Sequence, residues 1–357
     1  MFGIFRKPPS IGIDLGTANT LMYLSGQGIV LDQPSVVAIN KKSGELLKAG
    51  KPAKQMIGKT PENIETVRPV RDGVIANKAA TDLMMQSFMK NSNTQNANAP
   101  RMVIGVPSCI TDIERLAVRE AGILASREVH LIDETVAAAI GAGLPINEPT
   151  GSMIVDIGGG TTDVAVLSLG APVTSESVRV AGDEITESIA AYIKQKYSLI
   201  VGETTSEDIK LTIGSAHQSA SGEINQIEVC GLNCQTGLPQ SVTVTSGEIC
   251  EAIQEPLRFI NDAIKKVLDN VPAELAADVY TNGIVLAGGG ALIPGISELI
   301  TESTGLRTMV ANDPLHCVVN GCGEVVENWE EYKNCVCLLY TSPSPRDQRG
   351  SRMPSSA

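Results

Sequence analysis

Two segments of this chain set the same residue types in the same order. "IGIDLGTANT" (residues 11–20) and "IVDIGGGTTD" (residues 154–163) each run apolar residues into an aspartate, then any residue, then a glycine. A threonine follows six places after each aspartate, giving Asp14 with Thr20 and Asp156 with Thr162. A strand that ends in an acid and enters a Gly/Thr turn offers backbone N–H groups and hydroxyls that can wrap a phosphate. Gly16, Gly158, Gly159 and Gly160 permit the close backbone approach that a side chain would block. Neither copy carries the lysine of a G-x-x-x-x-G-K-[ST] loop, so that loop is excluded and another positive charge is needed. Asp14 and Asp156 would repel a polyphosphate unless a cation lay between them. Mg²⁺, held through water by carboxylates and phosphates, is the natural candidate. One copy alone reads equally well as an ordinary tight turn. Two copies behind apolar strands favour two related half-molecules that pinch one nucleotide.

A third glycine cluster, "VLAGGGALIPG", holds Gly288, Gly289 and Gly290. Its spacing is not G-x-G-x-x-G. Such a turn can let backbone lie flat against a base or ribose, and a helix-entry turn explains it equally well. The eight cysteines include no C-x-x-C pair, and the only nearby histidine is His316, beside Cys317. Four ligands at matched spacing are lacking, so no metal–thiolate site is expected. Reduced thiols in a cytosolic protein are expected.

Strands alternating with helices must position these turns. Strand-like runs include "SIGID", "MVIGVP", "VHLI", "SMIVDIG", "DVAVLSL" and "GIVLAG"; helical stretches sit between them, so the fold class is α/β. "TDIERLAVREAGILAS" opens on a capping box of Thr111 and Glu114, with Ile113, Leu116, Ala117 and Leu124 on one apolar face. "GDEITESIAAYIKQKY" is a further helix, and "SGEICEAIQEPLRFINDAIKKVL" is expected to kink at Pro256. "NSNTQNANAP" (residues 91–100) has no apolar period and reads as an exposed loop.

With 357 residues, two domains with sizeable cores are expected. Hydrophobic residues at 43% and charged residues at 19% describe a folded chain, and the net charge of −12 argues against nucleic acid as a partner. No apolar run approaches the roughly 20 residues of a membrane helix. "MFGIFRKPPS" lacks the apolar segment of an export signal. It sets Met1, Phe2, Ile4 and Phe5 before Arg6 and Lys7, which fits either a membrane-surface contact or a frayed start.

The ordered series "IDLGTANT", "VPSCITDIERLAVREAG", "IDETVAAAIGAGLP", "VDIGGGTTDVAVLSLG", "GETTSEDIKLTIGSA" and "LAGGGALIPG" resembles the actin/DnaK/hexokinase ATPase superfamily. Within it, "GQGIVLDQPSVVAI", "TPENIETVRPVRDGVIA" and "DPLHCVV" resemble the MreB family of bacterial actin homologues, over about residues 10–326. The resemblance implies an actin-like fold of two related α/β domains, each with a smaller inserted subdomain, around a nucleotide cleft. It assigns residues 1–9 to an N-terminal segment, 10–145 to the first domain and 146–326 to the second. Residues 327–357 form a C-terminal extension, and the chain is expected to return to the first domain near its end.

Carried over residue by residue, Thr17, Ala18 and Asn19 correspond to the first phosphate hairpin, and Gly158, Gly159, Gly160 and Thr161 to the second. Asp14 and Asp156 take the places of the acids that hold water-coordinated Mg²⁺. Glu207, Asp208, Ile209 and Lys210 lie where ribose and adenine are met, with Gly288, Gly289, Gly290 and Ala291 as the adenosine-side turn. Gly182 and Asp183 belong to a nucleotide-side helix start, although "AGD" stands where the family usually has two glycines. Glu134 matches the acid that positions the attacking water; the residues alone would equally allow a helix-capping role. Here the motif reads Asp133-Glu134-Thr135 rather than the family's Glu-Glu-Pro.

The resemblance further implies ATP-dependent filaments of the chain with itself, slow ATP hydrolysis and a part in rod-shape determination. It implies inner-membrane shape and wall-synthesis proteins as partners, and a cytoplasmic position at the inner face of an anionic membrane. Two departures stand out. "NSNTQNANAP" replaces the family's apolar membrane-touching loop, and the Ser/Pro/Arg-rich stretch after about Val336 fits neither the family nor a packed element. Competing readings are a DnaK-like chaperone ATPase, for which no substrate domain follows, a sugar kinase of the same superfamily, and a nucleotide-binding scaffold that never hydrolyses.

Overall fold

The computed structural model describes residues 9–92, 101–123, 126, 128–217 and 225–337. Two sheets built to one plan flank a cleft. The first has six strands in the order Val336–Cys337, Val129–Asp133, Met102–Val106, Ile11–Leu15, Asn19–Leu24, Gly28–Pro34. The second has five, in the order Ala171–Val178, Thr162–Ser168, Ser152–Ile157, Ile284–Ala287, Thr308–Val310. In each, the strand carrying the aspartate runs antiparallel to its hairpin partner on one side. On the other side it runs parallel to a strand from later in the chain. Asp14 stands level with Leu21 and Gly105, and Asp156 level with Asp163 and Ala287. The doubled sequence motif is therefore a doubled topology. Each main sheet also has a three-stranded companion formed between its strands in chain order: Val37–Asn40 with Leu46–Ala49 and Ile64–Val67, and Gln226–Asn233 with Leu199–Ile200 and Pro239–Thr245.

The aspartate strands read as continuous apolar runs because both faces are covered. Ser152–Ile157 is buried at all six positions. Beneath one sheet, Met84, Met85 and Phe88 pack on Ile11, Ile13 and Ile104; beneath the other, Ile185, Ile189 and Ile260 pack on Val155 and Val164. A third cluster joins the halves. In it the helix Glu134–Gly141 lies against the helix Cys317–Glu327, so close that a side chain at Gly321 would collide with the Ala137 carbonyl. The same late helix lies on Gly12, where an added Cβ would stand 2.8 Å from the Cys322 backbone. The return to the first sheet thus begins at Cys317, inside the range 146–326 expected for the second unit. Val336–Cys337 completes it beside Leu131 and Ile132.

Local expectations fared unevenly. The capping box forms: Thr111 N–H donates to Glu114 Oε2 at 2.7 Å, and Glu114 N–H to Thr111 Oγ1 at 3.3 Å. The expected apolar face of that helix is not the buried one. Ile113 is 81% and Leu116 49% exposed, while Val118, Ala121 and Gly122 face the sheet. Small residues win there because a Cβ on Gly122 would already stand 2.9 Å from Ile104 and 3.0 Å from Val129. The expected kink at Pro256 falls at Ile253, between helices Ser246–Ala252 and Gln254–Asp269. Proline obstructs the turn before it, so the break precedes the ring. Residues 1–8 of the N-terminal segment, residues 93–100 of the polar loop, Leu124 and the tail from 338 lie outside the described residues.

Candidate functional site

The two hairpins meet at a cleft of about 440 Å³. Asp14, Thr17, Ala18, Asn19 and Glu134 line it from the first half. Asp156, Gly158, Gly159, Gly160, Thr161, Gly182, Asp183, Glu207, Lys210, Gly289 and Gly290 line it from the second. The glycines are needed for this meeting. A Cβ on Gly159 would stand 2.7 Å from the Ala18 Cβ, and one on Gly160 2.8 Å from Thr17 Oγ1. Thr17 is itself held, its hydroxyl accepting the Gly73 N–H at 3.0 Å.

Gly182 and Asp183 open the helix Gly182–Tyr197, but their N–H groups are engaged with the second hairpin. Gly182 donates to the Gly158 carbonyl at 3.2 Å and Asp183 to that of Gly159 at 2.7 Å. They brace the turn. Lys210 Nζ donates to the Gly182 carbonyl and to Thr186 Oγ1, each at 2.8 Å; burial pushes its pKa down while Glu207 and Asp183 oppose this.

Four of the expected residues do not line the cleft. Asp208 is exposed outside the cleft lining, and Ile209 and Ala291 are buried in the core. Gly288, with φ of 78°, lies behind Asp156, where a side chain would collide with the carboxylate. Sequence reasoning also missed contributors. Leu211, Leu292 and Leu315 are 74%, 53% and 44% exposed at the cavity wall, an apolar rim suited to a flat ring. Lys54 spans the cleft to Glu207 at 2.8 Å, and Arg68 reaches from the first half to Glu203 and, at 3.9 Å, to Asp183. No local pattern marks these residues, since their partners come from distant segments.

Glu134 begins the helix Glu134–Gly141, and the cap is its neighbour: Asp133 Oδ1 accepts the Thr135 N–H at 2.9 Å. Glu134 is thereby free to face the cleft, lying over Gly105, where a Cβ would stand 3.4 Å from its Cγ. The floor is dense in carboxyl groups. Burial pushes Asp14 up to about 7, against the opposing field of His316. Burial also raises Glu134 and Asp156 well above the usual carboxylate range, and Asp163 adds to both. Asp163 is pushed up to about 6 by burial, partly offset by the Ser108 N–H.

Among the described residues neither Asp14 nor Asp156 has a cationic ion-pair partner. Nor do three ligating side chains converge among the described residues. Two unpaired acids without a third direct ligand suit an ion that keeps its water shell and takes phosphate oxygens.

The sequence model of the MreB/Mbl protein family matches residues 8–334. The chain is 49% identical over 332 residues to the cell shape-determining protein MreB of Escherichia coli (strain K12), covering 91% of this chain and 94% of that protein. It is 44% identical over 323 residues to the cell shape-determining protein Mbl of Bacillus subtilis (strain 168), covering 90% and 96%. The crystal structure of MreB5 of Spiroplasma citri bound to AMPPNP superposes with a TM-score of 0.87 at 37% identity, covering 92% of this chain and 98% of that one. The MamK double helical filament, at 21% identity, shares the fold with a TM-score of 0.76 over 89% and 98%. The chain belongs to the MreB/Mbl family of actin-like proteins.

Proposed function

We propose that this actin-like cell-shape protein binds ATP with Mg²⁺ between its hairpins, polymerises with itself in that state and hydrolyses the nucleotide slowly within the filament. One observation carries the reading: two topologically equivalent Gly/Thr hairpins from separate sheets touch over a single carboxylate-floored cavity. That the Spiroplasma citri relative is described bound to AMPPNP supports a nucleotide as the occupant.

In this reading the backbone of residues 17–19 and 158–161 cradles the phosphates. Glu207 and Lys210 meet the ribose and adenine, with Leu211, Leu292 and Leu315 against the ring. Asp14 and Asp156 hold the hydrated Mg²⁺, which when bound supplies the positive charge that the hairpins lack. Glu134 accepts a hydrogen bond from water and orients it in line with the terminal phosphate. Such positioning by a carboxylate is worth about 10²–10⁴-fold in rate. Closure of the two halves on the nucleotide gives the polymerising shape.

We further propose that filaments lie at the inner face of the cytoplasmic membrane, through the N-terminal segment and through membrane-bound shape and wall-synthesis partners. No helix among the described residues is long and apolar enough to cross a membrane. Electron microscopy of the purified chain with Mg-ATP tests the central reading: filaments are expected with ATP and not without nucleotide. A sugar kinase would instead phosphorylate an acceptor and stay dispersed, and an inert scaffold would assemble without releasing phosphate.

A further inference from the structure

Asp163 is 1% exposed, belongs to the second half and lies on the strand that leaves the second hairpin, where its carboxylate also takes a hydrogen bond from the Thr161 side chain. Its Oδ1 accepts the backbone N–H of Ser108 at 3.1 Å. Ser108 belongs to the first half, just past the strand Met102–Val106, and its hydroxyl donates to Asp133 Oδ2 at 2.7 Å. Asp133 in turn caps the helix that begins at Glu134, its other oxygen taking the Thr135 N–H at 2.9 Å and the Thr135 hydroxyl at 2.6 Å. Ser108 thus holds the second half with its amide and the cap of the Glu134 helix with its hydroxyl.

We infer that Asp163 and Ser108 are positioning residues: through Asp133 they tie the placement of Glu134 to contact between the two halves. This rests on the hydrolytic role proposed for Glu134. When the halves part, the Ser108 amide loses Asp163. The turn that aims its hydroxyl is released, and Asp133 keeps only the bonds to its own helix. When the halves meet, both oxygens of Asp133 are fixed, and so is the direction in which the first helical residue leaves the cap. Hydrolysis then follows closure. A displacement of about 1 Å at a reacting group can cost about 10²-fold in rate, so a tether of this length is enough to matter.

The test is a double-mutant cycle on single-turnover phosphate release from ATP, with ATP affinity measured alongside. Asp163→Ala is expected to slow release about 10–100-fold while ATP affinity changes by less than about 3-fold. Asp163→Asn, whose amide oxygen still accepts the Ser108 N–H, is expected to restore most of the rate. Ser108→Ala keeps the amide but loses the hydroxyl, so it should slow release in the same sense. It also serves as a probe should Asp163→Ala fail to fold. Combined with Glu134→Ala, either change should add nothing, since the group it positions is gone. Independently of activity, hydrogen exchange of the 106–110 backbone with ATP bound should quicken in Asp163→Ala and not in Glu134→Ala. A normal rate in both Asp163→Ala and Ser108→Ala, or full additivity with Glu134→Ala, overturns the tether. A normal rate in Glu134→Ala alone overturns instead the role proposed for Glu134.

Discussion

Gly159 and Ala18 touch across the cleft, one from each half: a Cβ built on Gly159 would stand 2.7 Å from the Ala18 Cβ. The two hairpins are therefore each other's packing partners before any ligand enters, and closure is limited by the smallest residues in the chain. Gly159→Ala should hold the halves apart. Overpacking of this kind costs about 1–3 kcal/mol, which corresponds to roughly 5–150-fold weaker nucleotide binding. Titration with a fluorescent ATP analogue reads this, and circular dichroism should show the fold kept. Unchanged affinity would mean that closure does not need this contact.

Asp14 and Asp156 bear on the metal. If they hold hydrated Mg²⁺ against the phosphates, Asp156→Ala should weaken nucleotide binding in Mg²⁺ far more than in EDTA. Equal losses in the two buffers would leave the acid without a metal role.

The carboxylate floor makes stability depend on pH in a definite sense. Burial raises Asp14 to about 7 and Asp163 to about 6. A carboxyl raised in the folded state stabilises fully below its unfolded pKa, and that contribution is lost as pH rises through the folded value. The nucleotide-free protein should melt at a higher temperature at about pH 5 than at about pH 8, with the loss falling between roughly pH 4 and 7. Asp163→Asn should remove the part of the transition near pH 6. A melting temperature that climbs steadily from pH 5 to 8 would contradict the account.

What the chain disclosed of this site followed from locality. Asp14, Asp156 and the hairpin residues could be read because strand, acid and turn are contiguous, and because the second copy tested the first. Asp163 stood inside a quoted motif and still escaped notice, since its partner Ser108 comes from the other half. Leu211, Leu292 and Leu315 gave no signal because apolar residues on helices and turns ordinarily mean core, and only the cleft turns them outward. The helix Asp112–Ile123 misled for the opposite reason: its large apolar residues point outward, and Ala121 and Gly122 lie on the sheet. Periodicity marks a face but not which neighbour that face meets.

The N-terminal segment bears on the membrane. Burying Phe2, Ile4 and Phe5 would contribute about 1.5–3 kcal/mol each at most, against roughly 1–2 kcal/mol per residue of backbone ordering. Monomers should bind anionic liposomes only marginally, while filaments gain from many copies on one side. ATP-driven filaments are expected to co-sediment with such liposomes, and deletion of residues 1–7 should abolish this without preventing assembly. Truncated filaments that still bind would place the anchor elsewhere.

The most direct measurement follows assembly and phosphate release together in Glu134→Ala with Mg-ATP, by sedimentation and a phosphate sensor on one sample. The account predicts filaments in wild-type yield, with phosphate release slowed about 10²–10⁴-fold, as expected for loss of a water-positioning carboxylate. Filaments that release phosphate at the wild-type rate would contradict it.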